Sequence, residues 1–207
     1  MSAHSAQGRS AAARLALFPT DGVVLLSLIG MPGGGKSTVA RHLAKRLNLS
    51  LIDSDQVIEE RICEPIRSFF EREGEEIFRD VEQAVITDIT RSFRGVLATG
   101  GGTVLRAANR EMLRQYSTVL YLNTSPEALF RRLRFDTKRP LLRVEDPLQR
   151  LRDLHAVRDP LYLETAHFVV ATGRSSIPTL VSTILTQLEL GGIIDPYSVP
   201  SVIDPSP

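Results

Sequence analysis

The chain has 207 residues, enough for one hydrophobic core of ordinary size, so we expect a single domain. Its residues are 43% hydrophobic and 24% charged, as in ordinary globular proteins, which excludes the fibrous and disordered classes. The formal net charge of +1 provides no long-range attraction to nucleic acid or to a membrane surface, so we expect neither as a partner.

The two ends of the chain differ in composition from the middle. Residues 1–20 contain two arginines and no acidic residue, which favours a disordered extension and leaves an organelle-targeting segment as the alternative. Residues 191–207 include four prolines and predict a disordered tail. The predicted domain therefore spans residues 21–190.

Cysteine and histidine usage gives no sign of a disulfide or of a metal cluster. Cys63 is the one cysteine of the sequence, which is typical of a reducing compartment. His42, His155 and His167 lack the spacing of metal ligands. The single cysteine leads us to expect a cytoplasmic protein. No apolar run approaches the length of about 18 residues that a transmembrane helix needs, which excludes such a helix.

The first predicted elements are a strand, a glycine-rich loop and a helix. Residues 23–29 form a short apolar run between two glycines, which indicates a strand buried on both faces. After the loop, Val39, Leu43 and Leu47 recur at helical spacing, and Asn48 is a plausible end for that helix.

The same alternation continues along the chain. Apolar runs over residues 49–53, 95–99, 118–122 and 168–171 predict four more strands, and helical patterns such as 77–93 and 177–188 lie between or after them. Five strands that alternate with helices predict an α/β fold of three layers, α/β/α, around a five-stranded parallel sheet. On such a sheet, ligands bind outside the carboxyl ends of the strands.

The glycine-rich loop fits the phosphate-binding pattern G-x-x-x-x-G-K-[ST], in the strand-to-helix context that the pattern requires. Backbone N–H groups without side chains can surround phosphate oxygens, and the helix N-terminus adds positive potential. We therefore predict a nucleoside triphosphate site at Gly33, Gly34, Gly35, Lys36, Ser37 and Thr38. ATPases, GTPases and kinases share this pattern, but the N-K-x-D base-reading segment of GTPases is absent from the sequence.

Two acids follow the second predicted strand. Asp53 ends the apolar run and Asp55 lies two residues later, on the same side if the chain stays extended. One carboxylate could order the water shell of Mg²⁺, and the other could accept a hydrogen bond from an attacking hydroxyl. The alternative for Asp55 is a helix cap.

Six short motifs, in order, resemble those of shikimate kinases, which are P-loop kinases of the nucleoside-monophosphate kinase-like fold. They are GMPGGGKST (30–38), DSD (53–55), FRDVE (78–82), GGG (100–102), RPLL (139–142) and RDPLY (158–162). The resemblance covers about residues 23–190. It implies a monomer that uses ATP and Mg²⁺ to phosphorylate the 3-hydroxyl of shikimate, a step toward chorismate and the aromatic amino acids.

The resemblance also implies roles for individual residues. Arg79 and Arg158 would grip the carboxylate of shikimate, and Asp55 would bind the hydroxyl that is phosphorylated. Lys36 would contact the β- and γ-phosphates, while Ser37 and Asp53 would lie on the Mg²⁺ side. Contacts to the ring are assigned to the backbone of Gly100, Gly101 and Gly102, and support of Arg79 to Glu82.

Each assignment has a simpler alternative. Arg79 alone could be a solvated charge on a helix, and residues 100–102 could be a tight turn. Residues 133–151 are rich in charge and predict a mobile lid, in which Arg139 would reach the transferring phosphate. An exposed loop arginine without a role is the alternative there.

The sequence departs from the family at position 34, where Gly stands in place of the more usual Ser or Ala.

Two rival functions stay open. A kinase for another small acid or polyol, such as gluconate, would not need arginines at both 79 and 158. A sensor domain that binds a ligand without chemistry could lose Lys36, Asp53 or Asp55, and this chain keeps all three.

Overall fold

Five strands form one parallel sheet in the order β2-β3-β1-β4-β5. The computed structural model describes residues 24–133, 146–173 and 175–195. The strands are β1 (Leu25–Ile29), β2 (Leu51–Asp53), β3 (Gly95–Ala98), β4 (Thr118–Asn123) and β5 (Phe168–Ala171). The parallel sheet that the sequence predicts is therefore confirmed.

The strands alternate with helices. These are α1 (Lys36–Leu47), α2 (Ser54–Ile62), α3 (Ile66–Ser92), α4 (Ala107–Tyr116), α5 (Pro126–Leu133), α6 (Pro147–Thr165) and α7 (Ile177–Leu190), and a 3-10 turn spans Thr103–Leu105. Helix α1 ends where the sequence predicts, because its C-cap Asn48 adopts the left-handed conformation at φ 53°. Strand β2 begins later than residue 49, because the N–H of Leu49 bonds the carbonyl of Ala44 at the end of α1.

The sheet is covered on both faces, and β1 shows the pattern most clearly. Leu25 and Ile29 point into one apolar cluster, and Leu26 and Leu28 point into the other. Helices α1 and α7 pack on the second cluster, through side chains such as Val39, Leu43, Leu180 and Ile184. Helices α3, α4 and α6 pack on the first, through Val85, Ile89, Leu113 and Tyr162. Burial on both faces explains why every residue of β1 except Ser27 is apolar.

Helix α3 is interrupted at Gly74, which has φ 83° and ψ 175°. The apolar periodicity over residues 77–93 belongs to the part that follows this break. The break lies next to residues that build the site described below.

The end of the described chain packs on the domain. Within the segment predicted as a tail, the N–H of Ile193 donates to the carbonyl of Leu188 at 2.9 Å. Ile193 and Ile194 pack against the cluster under α1 and α7. Most of the predicted lid, including Arg139, lies outside the described residues. Among the described helices, none is long and apolar enough to cross a membrane.

Candidate active site

The glycine-rich loop joins β1 to α1 at the centre of the sheet. Gly30 has φ 145°, and a Cβ there would lie 2.8 Å from the carbonyl oxygen of Leu122, so a side chain is excluded. Gly35 precedes the first turn of α1 with φ 91°, a conformation that favours glycine. The loop therefore presents its backbone at the carboxyl end of β1, as the motif predicts.

Lys36 folds back over this loop. Its side chain is buried, and Nζ donates to the carbonyl oxygens of Gly30 at 2.9 Å and Met31 at 3.1 Å. The ammonium group is thus held at the concave side of the loop, where a phosphate would meet it.

Asp53 and Asp55 occupy different structural positions. Asp53 caps α2, because its Oδ1 accepts a hydrogen bond from the backbone N–H of Asp55 at 3.0 Å, and its Oδ2 accepts one from the Ser37 hydroxyl at 2.8 Å. The helix begins at Ser54, so the condition of an extended chain fails and Asp55 lies in the first helical turn. The alternative that Asp55 is the cap is wrong, since Asp53 caps the helix. The Asp55 carboxylate therefore has no capping role.

Asp55 is exposed at the surface, and its carboxylate lies near the charges of Asp53, Lys36 and Glu82. Desolvation, followed by the negative charge of Asp53, raises its pKa from 3.8 to about 6, against the opposing effect of the positive charge of Lys36. A carboxylate whose pKa is near neutrality is suited to accept a proton or a hydrogen bond from a hydroxyl.

The glycine run at 100–102 brings three predicted residues together. A Cβ at Gly100 would lie 2.6 Å from Asp55 Oδ1, and a Cβ at Gly102 would lie 2.7 Å from both Nη1 and Nη2 of Arg79. The carbonyl of Gly101 accepts a hydrogen bond from Arg158 Nη1 at 3.1 Å. Consecutive glycines thus let one carboxylate and two guanidinium groups approach the same short backbone segment.

Residues 100–102 also form a tight turn, as the alternative interpretation expects. The turn is compatible with contacts to a ligand. The carbonyl of Gly100 accepts from the N–H of Thr103 at 3.3 Å, and that of Gly102 accepts from Leu105 at 2.9 Å. The N–H of Gly100 is tied to the Ser54 hydroxyl at 3.0 Å. These hydrogen bonds fix the backbone of the turn, and its glycines leave room for side chains from three helices.

Arg79 is a buried residue, so the alternative of a solvated helix charge is wrong. Its Nη1 donates to Glu82 Oε2 at 2.7 Å, and the other oxygen of Glu82 accepts from the Thr103 hydroxyl at 3.0 Å. Glu82 therefore supports Arg79 as expected, and Thr103 in turn supports Glu82.

Two tyrosines surround Arg158: Tyr162, the last residue of the RDPLY motif, and Tyr121, which no motif contains. The Tyr162 hydroxyl donates to the carbonyl of Gly101 at 2.6 Å, beside the bond from Arg158. Burial raises the pKa of Tyr162 to about 12, so the hydroxyl keeps its proton. Tyr121 stacks on Tyr162 with ring centroids 4.9 Å apart, and its hydroxyl donates to Asp159 at 2.6 Å. Together these contacts fix α6 to β4 and to the glycine turn.

Arg132 is a further residue that the sequence reading left out. It lies on α5, and its Nη1 is 3.3 Å from the position of a Cβ at Gly35. In sequence it is one of three arginines in a basic stretch, Arg131, Arg132 and Arg134, and nothing in the pattern singles it out. The fold brings the positive charge of Arg132 to the edge of the glycine-rich loop at residues 30–38, which we call the phosphate loop.

The Ser37–Asp53 pair fits Mg²⁺, since it offers a hydroxyl and a carboxylate oxygen 2.8 Å apart at the end of the phosphate loop. Magnesium commonly takes one or two protein oxygens and completes its shell with water and phosphate. In the part of the chain that the structure describes, no group of three His, Cys, Asp or Glu residues could hold a metal by itself.

Comparisons with known proteins agree with this geometry. The family model for shikimate kinase matches residues 32–189. A shikimate kinase of Paracidovorax citrulli is 56% identical over 174 residues, which are 83% of this chain and 95% of the relative. One of Ralstonia nicotianae is 48% identical over 173 residues, which are 84% of this chain and 91% of the relative.

A solved structure gives the same result. The shikimate kinase of Acinetobacter baumannii in complex with shikimate is 44% identical, with a TM-score of 0.76. The match covers 82% of this chain and 94% of that one. The phosphate loop, the glycine turn with its two arginines, and these likenesses in sequence and structure lead to one conclusion: the chain belongs to the shikimate kinase family.

Proposed function

We propose that the protein is an ATP-dependent shikimate kinase, which transfers the γ-phosphate of ATP to the 3-hydroxyl of shikimate. The observation that carries the proposal is the convergence of Arg79, Arg158 and Asp55 on the glycine turn beside the phosphate loop. Two guanidinium groups suit a carboxylate, and a nearby carboxylate suits a hydroxyl on the same ligand.

In the proposed reaction, the arginines hold the carboxylate of shikimate, and Asp55 accepts a hydrogen bond from the 3-hydroxyl. The hydroxyl oxygen attacks the γ-phosphorus, the bond to the β–γ bridging oxygen breaks, and ADP leaves with the electron pair of that bond. The raised pKa of Asp55 suits it to receive the hydroxyl proton. Catalysis is then largely a matter of position and charge stabilisation.

The donor side is assigned to the phosphate loop. Backbone N–H groups from Gly33 to Thr38 and the ammonium of Lys36 bind the phosphates, and Arg139 stabilises charge on the transferred group. Ser37 and Asp53 would hold Mg²⁺, which when bound would neutralise phosphate charge. Since all these groups belong to one chain, we propose that the monomer is the active unit.

The direct test is a coupled assay of ADP release from the purified full chain with ATP, Mg²⁺ and shikimate. We expect turnover with shikimate and none with gluconate. Absence of turnover by folded protein would contradict the proposal, and a sensor domain would give that result.

A variant distinguishes the acceptor class. We expect Arg158→Ala to raise the KM for shikimate about 10- to 100-fold, because a charged hydrogen-bond pair is lost, and to leave the KM for ATP unchanged. Arg150→Ala, an exposed arginine of the same helix, is the matched control. An unchanged acceptor KM in Arg158→Ala would favour a kinase for a different substrate.

A further inference from the structure

Arg79 has two acidic partners of very different exposure. Glu82 binds Nη1 at 2.7 Å and its side chain is 2% exposed. Glu75 binds Nε at 3.3 Å and Nη2 at 3.1 Å, both through its single oxygen Oε1, and its side chain is 58% exposed. Glu82 is therefore a fixed support, since Thr103 also holds it, whereas Glu75 can exchange its contact with water.

The edge of Arg79 that Glu75 occupies is one that a ligand carboxylate can bind through two hydrogen bonds. Nε–H and the adjacent Nη2–H point in parallel and can bind the two oxygens of one carboxylate. Glu75 offers one oxygen to both, at distances longer than the roughly 2.7–2.9 Å of a good charged hydrogen bond. The adjacent edge of the guanidinium, between Nη1 and Nη2, lies against Gly102, and its Nη1 is already held by Glu82.

We propose that Glu75 is an internal substitute for the substrate carboxylate: it occupies the Nε–Nη2 edge of Arg79 in the free enzyme and is displaced when the acceptor binds. The inference rests on the proposed function, because it requires a carboxylic acid acceptor on Arg79. Glu75 acts through Arg79 and is thus a positioning residue. It keeps Arg79 in place between turnovers.

Displacement of Glu75 makes the site selective. A ligand with two carboxylate oxygens replaces one shared contact with two direct hydrogen bonds, so the exchange is favourable. A ligand with a single acceptor oxygen gains nothing from it. After displacement, the Glu75 carboxylate stays near the bound carboxylate and repels it, which weakens binding further.

Glu75→Gln tests the proposal because it keeps the size of the side chain and removes the competing charge. We expect the Kd for shikimate to fall about two- to fivefold, the range for an exposed ion pair, with kcat within about a factor of two of the original. Glu75→Ala should change the Kd in the same direction. The gain should shrink as NaCl rises from about 0.05 to 0.5 M, because salt screens exposed charges.

The measurement is isothermal titration of the full chain with shikimate, together with kcat and KM from the coupled assay. Glu71→Gln is the matched control: Glu71 is 64% exposed and pairs with Arg67 on the same helix at 2.8 Å, also four residues apart. A shikimate analogue that lacks the carboxylate serves as a competitive inhibitor. Its Ki should be unchanged in Glu75→Gln.

The outcomes separate the two proposals. Tighter shikimate binding in both Glu75 variants, with no change in Glu71→Gln or in the Ki of the analogue, supports the inference. Equal or weaker binding in the Glu75 variants, or the same gain in Glu71→Gln, overturns it while turnover by the unaltered enzyme leaves the proposed function intact. Failure of the unaltered chain to bind or phosphorylate shikimate overturns both.

Discussion

At the scale of single residues, Asp53 and Asp55 show how one helix start separates two acids. The two carboxylate oxygens of Asp53 accept hydrogen bonds from the Ser37 hydroxyl and from the backbone N–H of Asp55 at the start of α2. Asp55 lies one step into the helix and faces the glycine turn, with Asp53 and Glu82 as negative neighbours and Lys36 as a positive one. The same residue type therefore serves as a cap in one position and, in the reaction that we propose, as an acceptor of the substrate hydroxyl proton in the other.

The raised pKa of Asp55 predicts a pH dependence of activity. We expect kcat/KM for shikimate to rise with pH and level off above about 6, because the ionised carboxylate is the form that accepts a proton. Asp55→Asn should lower kcat by at least about 100-fold and remove this ionisation from the profile. A flat profile between pH 5 and 8 in the unaltered enzyme would contradict the assignment.

The same pKa predicts an effect of opposite sign on stability. The pKa of Asp55 is higher in the folded chain than the ordinary 3.8, so folding disfavours its ionised form. This cost is absent below about pH 4, grows as pH rises toward 6 and is complete above it. We expect Asp55→Asn to raise the midpoint of thermal unfolding at pH 7.5 and to raise it much less at pH 4. Equal shifts at both pH values would show that ionisation is not the cause.

Gly102 is predicted to be intolerant of any side chain. A methyl group there would lie 2.7 Å from Arg79, whose position is fixed by Glu82, so the guanidinium must shift. We expect Gly102→Ala to raise the KM for shikimate about 10- to 100-fold with no change in the KM for ATP. Gly192→Ala is the control for acceptor binding: its φ of 66° makes the substitution strained, but the added methyl meets no atom within 4 Å.

At the scale of elements, the periodicities were sufficient for strands and helices but not for the break in α3. The apolar pattern over residues 77–93 predicts the second part of that helix, and residues 66–73 carry a shorter one at Ile66, Phe69 and Phe70. Gly74 is one glycine among 14, and its φ of 83° cannot be read from the sequence. The end of β2 is a second feature that the periodicities do not predict. The strand stops where Asp53 caps helix α2.

Gly74 offers a test of strain separate from crowding. Its backbone conformation, φ 83° and ψ 175°, is almost restricted to glycine, yet a Cβ there would meet no atom within 4 Å. We expect Gly74→Ala to lower the free energy of unfolding by about 1–3 kcal/mol in urea denaturation. Ser68→Ala, an exposed substitution in the first part of α3, should stay within about 0.5 kcal/mol. Unchanged stability of Gly74→Ala would show that the helix relaxes around the break.

At the scale of the whole molecule, the site is a product of distant segments. Motif order predicts that residues 36, 55, 79, 100–102 and 158 belong to one site, but it does not predict which of them are in contact. The Tyr162 and Tyr121 network and the approach of Arg132 to the loop depend on how α5 and α6 cross the sheet. Such crossings are set by core packing, which has no signature in a single short motif.

The domain boundary gives a prediction at this scale. A chain that ends at residue 190 loses the hydrogen bond of Ile193 and the packing of Ile193 and Ile194, whereas one that ends at residue 195 keeps them. We expect the shorter chain to be less stable by about 1–3 kcal/mol, since two partly buried isoleucines are lost. Equal denaturation midpoints for the two chains would place the functional boundary at residue 190.

The position of β1 in the middle of the sheet has a consequence for synthesis on the ribosome. Its two neighbours, β3 and β4, are both made later, and Leu28 pairs with Ala98 on one side and Leu120 on the other. The phosphate loop therefore lacks its supporting ladder until β4 has emerged, and such distant pairings form slowly. We therefore expect ATP to stabilise the folded product and to have no effect on the early steps of folding.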